Sequence, residues 1–229
     1  PTDRRHILNA LLYFVRAGCQ WRMLPADFGP WQTVYHYYAA WRRDGHWTYL
    51  HDRLRARVRT AAGKEVRPTA AILDSQTVRS ADHTGETGFD AAKKTKGRKR
   101  HILVDNLGLL LAVCVTPAST PERAGARQLL AGALQWFSWL RRLWVDGGYS
   151  GPEFAAWVRT QRRKLAVEVV SRVAGQRGFA VLPKRWIVER TFGWLMKQRR
   201  LVRDYEVKAE HAEAWIYIAM IGIMVRRLA

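Results

Sequence analysis

From Arg4 to Ala17 the apolar residues fall at Ile7, Leu8, Leu11, Leu12, Phe14 and Val15, the spacing of one helix face, and Gly18 follows where helices commonly stop. The stretch from Cys19 is broken by Pro25, Gly29 and Pro30. Pro30 then suits the first turn of a second helix running to about Asp44, with Val34, Tyr38 and Trp41 as its apolar stripe. Trp47 to Thr60 predicts a third helix, with Leu50, Leu54 and Val58 inward and Arg53, Arg55, Arg57 and Arg59 outward. Residues 61–69 read as a linker. From residue 70 the period changes. Ala70 to Val78 is a strand, and Arg100 to Val104 and Leu109 to Thr116 flank the tight turn Asp105-Asn106-Leu107-Gly108. Pro121 to Leu134 is helical, Leu143 to Val145 a strand, Pro152 to Arg163 a helix, Leu165 to Val170 a strand, and residues 186–200 a helix. Helical spacing returns from Ala212 to Leu228. This order predicts an α/β fold, a mixed sheet covered by helices with ligands at strand C-terminal ends, behind a small helical module.

Charge narrows the partner. The 229 residues carry 39 Lys plus Arg against 19 Asp plus Glu, a formal charge of +20. Such an excess calls for a polyanion, because each neutralised phosphate releases condensed counterions whatever the base sequence. Nucleic acid fits better than an acidic membrane, since no apolar run reaches the roughly 20 residues needed to span a bilayer and no lipidation signal is visible. Cys19 and Cys114 lie far apart in apolar surroundings and read as small buried hydrophobes in a reducing cytosol. No signal peptide is visible, and a start at Pro1 rather than Met is consistent with a few preceding residues. The three N-terminal helices then read as a helix-turn-helix-like DNA-binding domain over residues 1–62, with Arg42 and Arg43 among its contacts, ahead of a catalytic-sized domain over 68–229. The competing reading makes those helices a cap packed on the following domain.

Of the 19 acidic residues most have a local explanation. Asp105 lies in the turn, where Asp bonds the backbone; Glu122 and Glu153 occupy first helical turns, where negative charge offsets the dipole; Asp204, Glu206, Glu210 and Glu213 belong to a charged C-terminal segment. Glu168 alternates with Val167 and Val169 and faces either solvent or a site. Asp74 and Asp146 stand apart. Each ends an apolar strand, followed by Ser75-Gln76 and Gly147-Gly148, so each is a charge needing compensation with open space in front of it. For one such Asp, capping the next turn is an equal explanation. Two of them with Glu189, on the helical segment from Trp186 to Leu195, point instead to an oxygen-rich site for magnesium or manganese.

Four segments, in order, carry a resemblance: Ile72-Leu73-Asp74-Ser75-Gln76-Thr77-Val78, Lys96-Gly97-Arg98-Lys99-Arg100-His101, Trp144-Val145-Asp146-Gly147-Gly148-Tyr149 and Val188-Glu189-Arg190-Thr191-Phe192-Gly193-Trp194-Leu195. Together with Gly18 to Pro25 and Trp31 to Tyr35, they resemble bacterial insertion-sequence transposases of the DDE class, the IS-five family. The resemblance spans nearly the whole chain. It implies a ribonuclease-H-like catalytic core and an enzyme that binds terminal inverted repeats, cleaves double-stranded DNA at the element end and joins the freed 3′ hydroxyl to target DNA. It also implies Asp74, Asp146 and Glu189 as catalytic ligands of two Mg2+ or Mn2+ ions, a homo-oligomer on DNA, and a bacterial cytoplasmic protein found with the nucleoid when DNA-bound. Spacings of 72 residues from Asp74 to Asp146 and 43 to Glu189 leave little room for an inserted domain. The family's Tyr, Arg, Glu and Lys set is matched at Arg185 and Glu189, but Leu182 and Met196 occupy the other two places. Lys197 comes one residue late, rotated by about 80° from the matching position. A nuclease without strand transfer and a non-catalytic domesticated DNA-binding protein are the alternatives.

The basic run Lys93, Lys94, Lys96, Arg98, Lys99 and Arg100 leads into the second strand, beside the first, and is placed to hold DNA phosphates near Asp74. Ser80 to Ala92 reads as a loop that is mobile before DNA binds. Lys197 to Arg203 extends the Glu189 helix, and Arg185 and Arg190 are further phosphate contacts. The Trp-rich stretch from Trp136 to Leu140 reads as core, and His36, His46 and His51 as packing or surface residues.

Overall fold

The computed structural model describes residues 3–170 and 184–229. Three helices open the chain: α1 (Arg4–Ala17), α2 (Trp31–Arg43) and α3 (His46–Ala61). The sheet follows as β1 (Ala70–Arg79), β2 (Gly88–Asp90), β3 (Thr95–Asp105) and β4 (Leu110–Pro117), then α4 (Glu122–Trp136), β5 (Arg142–Val145), α5 (Pro152–Gln161) and β6 (Ala166–Val169). Helices α6 (Arg185–Met196), α7 (Arg199–Val202) and α8 (Ala209–Leu228) close it.

β1 lies in the middle of a mixed sheet. It pairs antiparallel with β3, from Ala71 opposite Asp105 to Arg79 opposite Gly97, and parallel with β5, Ile72 opposite Trp144. β6 adds parallel to β5, while β4 and the short β2 both pair with β3. Parallel neighbours need crossovers, which α4 and α5 supply. Side chains alternate along β1, so Ala71 and Leu73 join the core beneath α4 and α5 with Leu130, Leu143 and Phe154. Ile72 joins the opposite core with Ile102, Trp144, Val188 and Phe192. Two covered faces explain an apolar run without polar alternation.

The second face is built around α8, which is apolar on most sides and buries Trp215, Ile216, Ile218, Met220 and Ile221. An α-helix of that character must be surrounded by protein. The N-terminal helices share its core: the Trp215 ring stacks on Tyr38 at 4.4 Å and on Phe14 at 5.0 Å, and Phe14 stacks on Trp21 at 4.1 Å. α1 begins under an Asp3 cap and stops at left-handed Gly18, as its pattern predicts. Among the described residues β4 pairs only with β3, and its Val115 N–H donates to Glu213 Oε1 of α8 at 2.9 Å.

Three expectations need correction. Arg55 and Arg59 of α3 point inward, 6% and 3% exposed, because partners await them: Arg55 meets the Leu110 carbonyl, and Arg59 pairs with Asp105 in the β3–β4 turn. The segment expected to be loose, Ser80 to Ala92, contains β2 and the buried Asp90, which accepts from Thr77 and pairs with Lys99. The helix expected over 186–200 ends at Met196, and a break at Lys197 and Gln198 separates it from α7.

Gly125 marks the closest fit between α4 and the sheet. A Cβ there would lie 2.0 Å from Nε2 of His101, a fully buried ring bonded to the Thr116 hydroxyl. Burial, helped by Lys99 and Lys93, lowers the His101 pKa to about 4, so the ring is neutral at physiological pH. We expect Gly125→Ala to destabilise the fold by about 1–3 kcal/mol through overpacking, read as a lower urea midpoint with unchanged slope.

Candidate active site

The register of β1 and β5 sets the first two carboxylates. With Ile72 opposite Trp144, the positions two residues on, Asp74 and Asp146, come level, and the two-residue period puts both on the face that carries α6. Asp74 Oδ1 accepts the Ser75 N–H at 2.7 Å. Burial nevertheless pushes Asp74 up to about 7; the Ser75 N–H and Arg185 oppose this, while Asp146 and Glu122 reinforce it. Asp146 caps a single helical turn, Gly147–Tyr149, by accepting the Gly148 N–H at 2.9 Å. Its Oδ2 lies 3.7 Å from Arg185, whose guanidinium is also 3.5 Å from Glu189 Oε1 one turn along α6. Asp146 thus acts on Asp74 through its charge, and Glu189, 57% exposed at its side chain, is linked to Asp146 through Arg185.

The predicted DNA contacts divide into two groups. Because β3 begins at Thr95, Arg98, Lys99 and Arg100 lie inside a buried strand, where they serve the fold. Arg98 pairs with Asp204 and donates to the Glu86, Glu206 and Val207 carbonyls; Lys99 pairs with Asp90 and donates to the Thr120 carbonyl; Arg100 donates to the Leu201 carbonyl. Lys93, Lys94 and Lys96 are exposed. Lys94 and Lys96 line an open groove of 380 Å³ with Arg79, Arg203 and the exposed ring of Phe89. Arg42 pairs with Glu210 and Arg43 with Asp44, both partly exposed. Arg190 is sandwiched between Trp186 and Trp194 and donates to the Leu107 carbonyl. Lys197 stands at the end of α6, in a separate hollow with Arg16, Trp194, Arg226 and Arg227. Leu182 lies outside the described residues.

Sequence reasoning passed over two neighbours of the site. Glu122 accepts the Ser75 hydroxyl at 3.1 Å and lies 3.7 Å from Lys93. Tyr149 is buried beneath the carboxylates, its pKa pushed up by burial and then by Asp74 and Glu122. Neither carried a signal, because a first-turn Glu and an aromatic in an apolar stretch have sufficient local explanations. Glu168 does face the site side of the sheet, where it accepts the Trp144 indole N–H at 2.7 Å and lies 3.7 Å from Arg142.

Asp74 does not end its strand as its apolar run suggests, because β1 continues in register with β3 to Arg79, whereas Asp146 does follow the end of β5. A mixed sheet with one carboxylate midway along β1, a second just past the neighbouring β5 and a third on a covering helix defines the class of fold and site. Residues 66–225 match the family model described as transposase DDE domain, and residues 1–51 match one for transposases of the IS4/5 family. The chain belongs to the DDE transposase family, and its core is ribonuclease-H-like. It is 30% identical over 82 residues to the insertion element IS402 uncharacterized 16.2 kDa protein of Burkholderia cepacia, an alignment covering 35% of this chain and 54% of that protein. The chain thus spans about half the length of that curated relative.

DDE domains generally use divalent metal ions, and the residues here fit such an ion. The donors are all carboxylate oxygens, Asp74 is desolvated beside Asp146, and Gly148 leaves room that any Cβ would fill. Among the described residues no group of three or more His, Cys, Asp and Glu side chains stands close enough to hold a metal ion without rearrangement.

The raised Asp74 pKa has a measurable consequence. Between 3.8 and about 7 the folded state binds more protons at Asp74 than the unfolded state, so raising the pH through that window removes stability, and the full penalty applies above it. We expect Asp74→Asn to melt higher than wild type without metal, by a margin larger at about pH 8 than at about pH 5. Thermal melts of both proteins across pH check this, and a margin independent of pH would refute it.

Proposed function

We propose that the protein is a DNA transposase that binds the terminal inverted repeats of its element, cleaves a strand at each end and joins the freed 3′ hydroxyl to target DNA. The observation that carries this reading is the register that brings Asp74 and Asp146 level on the face covered by α6, in a chain of the DDE family. Asp74 would be shared by two magnesium or manganese ions, with Asp146 and Glu189 each holding one of them. When bound, such ions favour deprotonation of the attacking oxygen and offset charge on the leaving oxygen. The protein's part is to fix the acids on rigid elements. β1 and β5 hold the two aspartates, α6 presents Glu189, and Arg185 keeps the neighbouring carboxylates apart and oriented.

DNA would run past this site along the exposed cations. Lys93, Lys94 and Lys96 lie on the approach to β3, and the groove with Arg79, Arg203 and Phe89 continues it. Among the described residues those four groove cations have no carboxylate partner within ion-pair distance. Arg185, Arg190 and Lys197 add positive charge along α6, and the helical segment 1–62, with Arg42 and Arg43, would recognise the element end. Two ends must be synapsed, so a homo-oligomer on DNA follows. Among the described residues no helix is long and apolar enough to cross a membrane, and we place the protein in the bacterial cytoplasm with its DNA.

Cleavage of a cognate end with magnesium or manganese is expected to drop to background in Asp74→Asn, Asp146→Asn and Glu189→Gln. Metal-dependent cleavage that persists in all three would sink the assignment. Joined products from paired ends and a target plasmid separate a transposase from a nuclease. Lys94→Ala and Lys96→Ala should each weaken DNA binding with little regard to sequence and lower the slope of log affinity against log salt by about one. Filter-binding titrations over a salt series measure that slope.

A further inference from the structure

We infer that Glu122 is a fourth carboxylate of this site, holding divalent metal from the α4 side of the sheet; the inference rests on the reading of Asp74 and Asp146 above. Glu122 opens α4, on the face opposite α6, and reaches Ser75 midway along β1. One oxygen is accounted for: Oε1 accepts the Ser75 hydroxyl at 3.1 Å and lies 3.7 Å from Lys93 Nζ. The other is not. Oε2 lies 2.7 Å from the point a Cβ of residue 148 would occupy, and Asp146 Oδ1 lies 3.1 Å from the same point. Two carboxylate oxygens therefore converge on a space that exists because residue 148 is glycine. Like charges that close repel unless a cation stands between them.

Tyr149 points the same way independently. Its residue is 1% exposed, it lies among Asp74, Glu122 and Asp146, and its hydroxyl, which faces Ser75, has no hydrogen bond of good geometry among the described residues. Buried hydroxyls normally have partners, so an orphan beneath converging carboxylates marks a position for a bound cation's hydration shell. The ordinary reading of Glu122 is a first-turn acid offsetting the helix dipole. That accounts for a Glu at this position, but not for Oε2 sharing the glycine space with Asp146. With Glu122 included, acids approach the strand pair from both sides of the sheet. Asp74 and Asp146 lie at the centre, Glu122 on one flank, and Glu189 on the other behind Arg185.

The test is Mn2+ binding to the full chain by calorimetry, together with the rise in melting temperature that Mn2+ induces. Glu122→Gln keeps the shape and an acceptor for Ser75 but removes the charge; we expect Mn2+ affinity to fall about tenfold or more and the Mn2+-induced rise to shrink. Glu122→Asp should recover part of the loss. Gly148→Ala changes no charge yet fills the space beside both Glu122 Oε2 and Asp146 Oδ1, so it should weaken Mn2+ as well, and Glu122→Gln alone reads the share that belongs to Glu122. The induced rise reads metal binding even if Glu122→Gln lowers the metal-free melting temperature. Wild-type Mn2+ affinity in Glu122→Gln, with loss in Asp74→Asn, overturns the role of Glu122 and leaves the Asp74 site standing, whatever Gly148→Ala does. A wild-type protein that binds no Mn2+ overturns both.

Discussion

The parallel pairing of β1 with β5, Ile72 opposite Trp144, is the constraint on which the site rests. Both strands are covered on both faces, so neither can slip by a residue without carrying its whole apolar set to the wrong core. That penalty fixes where each apolar run gives out, and both give out at an aspartate on the same face. The cost of a desolvated Asp74 is thus imposed by hydrophobic packing some distance away. This is how a carboxylate can be held in a position that raises its pKa to about 7.

The positive charge of the chain serves two purposes that composition cannot separate. Part of it is internal. Arg98 and Arg100 tie β3 to the chain between Leu201 and Val207, and Arg200 binds Glu206 within that segment. This stretch follows α6 directly, so buried guanidinium groups help determine where α6, and with it Glu189, sits on the sheet. Removing one partner of such a buried ion pair costs about 3–5 kcal/mol, far more than a surface contact with phosphate is worth. The remaining cations, around Lys94, Lys96, Arg79 and Arg203, lie in the open.

The same division decides what could be read without the structure. Asp74 and Asp146 were legible because a charge ending an apolar run is a local anomaly. The helices were legible from periodicity, and α1 from its terminal Gly18. Arg55, Arg59, Arg98 and Arg100 were misleading because a guanidinium looks alike in sequence whether water or a carbonyl a hundred residues away receives it; Arg100 and Leu201 are such a pair. Glu122 failed for a subtler reason: the helix dipole explained it fully at short range, and nothing at short range showed that Ser75 and Gly148 fold against it. Whether residues 1–62 form a separate domain was a matter of grouping. The three helices were legible, but their shared core with Trp215 arises only once α8 is in place.

The contact between Val115 and Glu213 has a bearing on how copies of this protein meet. Among the described residues β4 pairs on one side alone, and the free side of such a strand presents a row of backbone groups ready to accept another strand. Glu213 occupies one of those N–H groups and sets a carboxylate, raised to about 7 by burial, against the margin of the sheet. A strand arriving there would have to expel that side chain before its own carbonyl could bond. The sheet is therefore closed to lateral growth at this point, and the side chain of a helix does the work that a further strand would otherwise do.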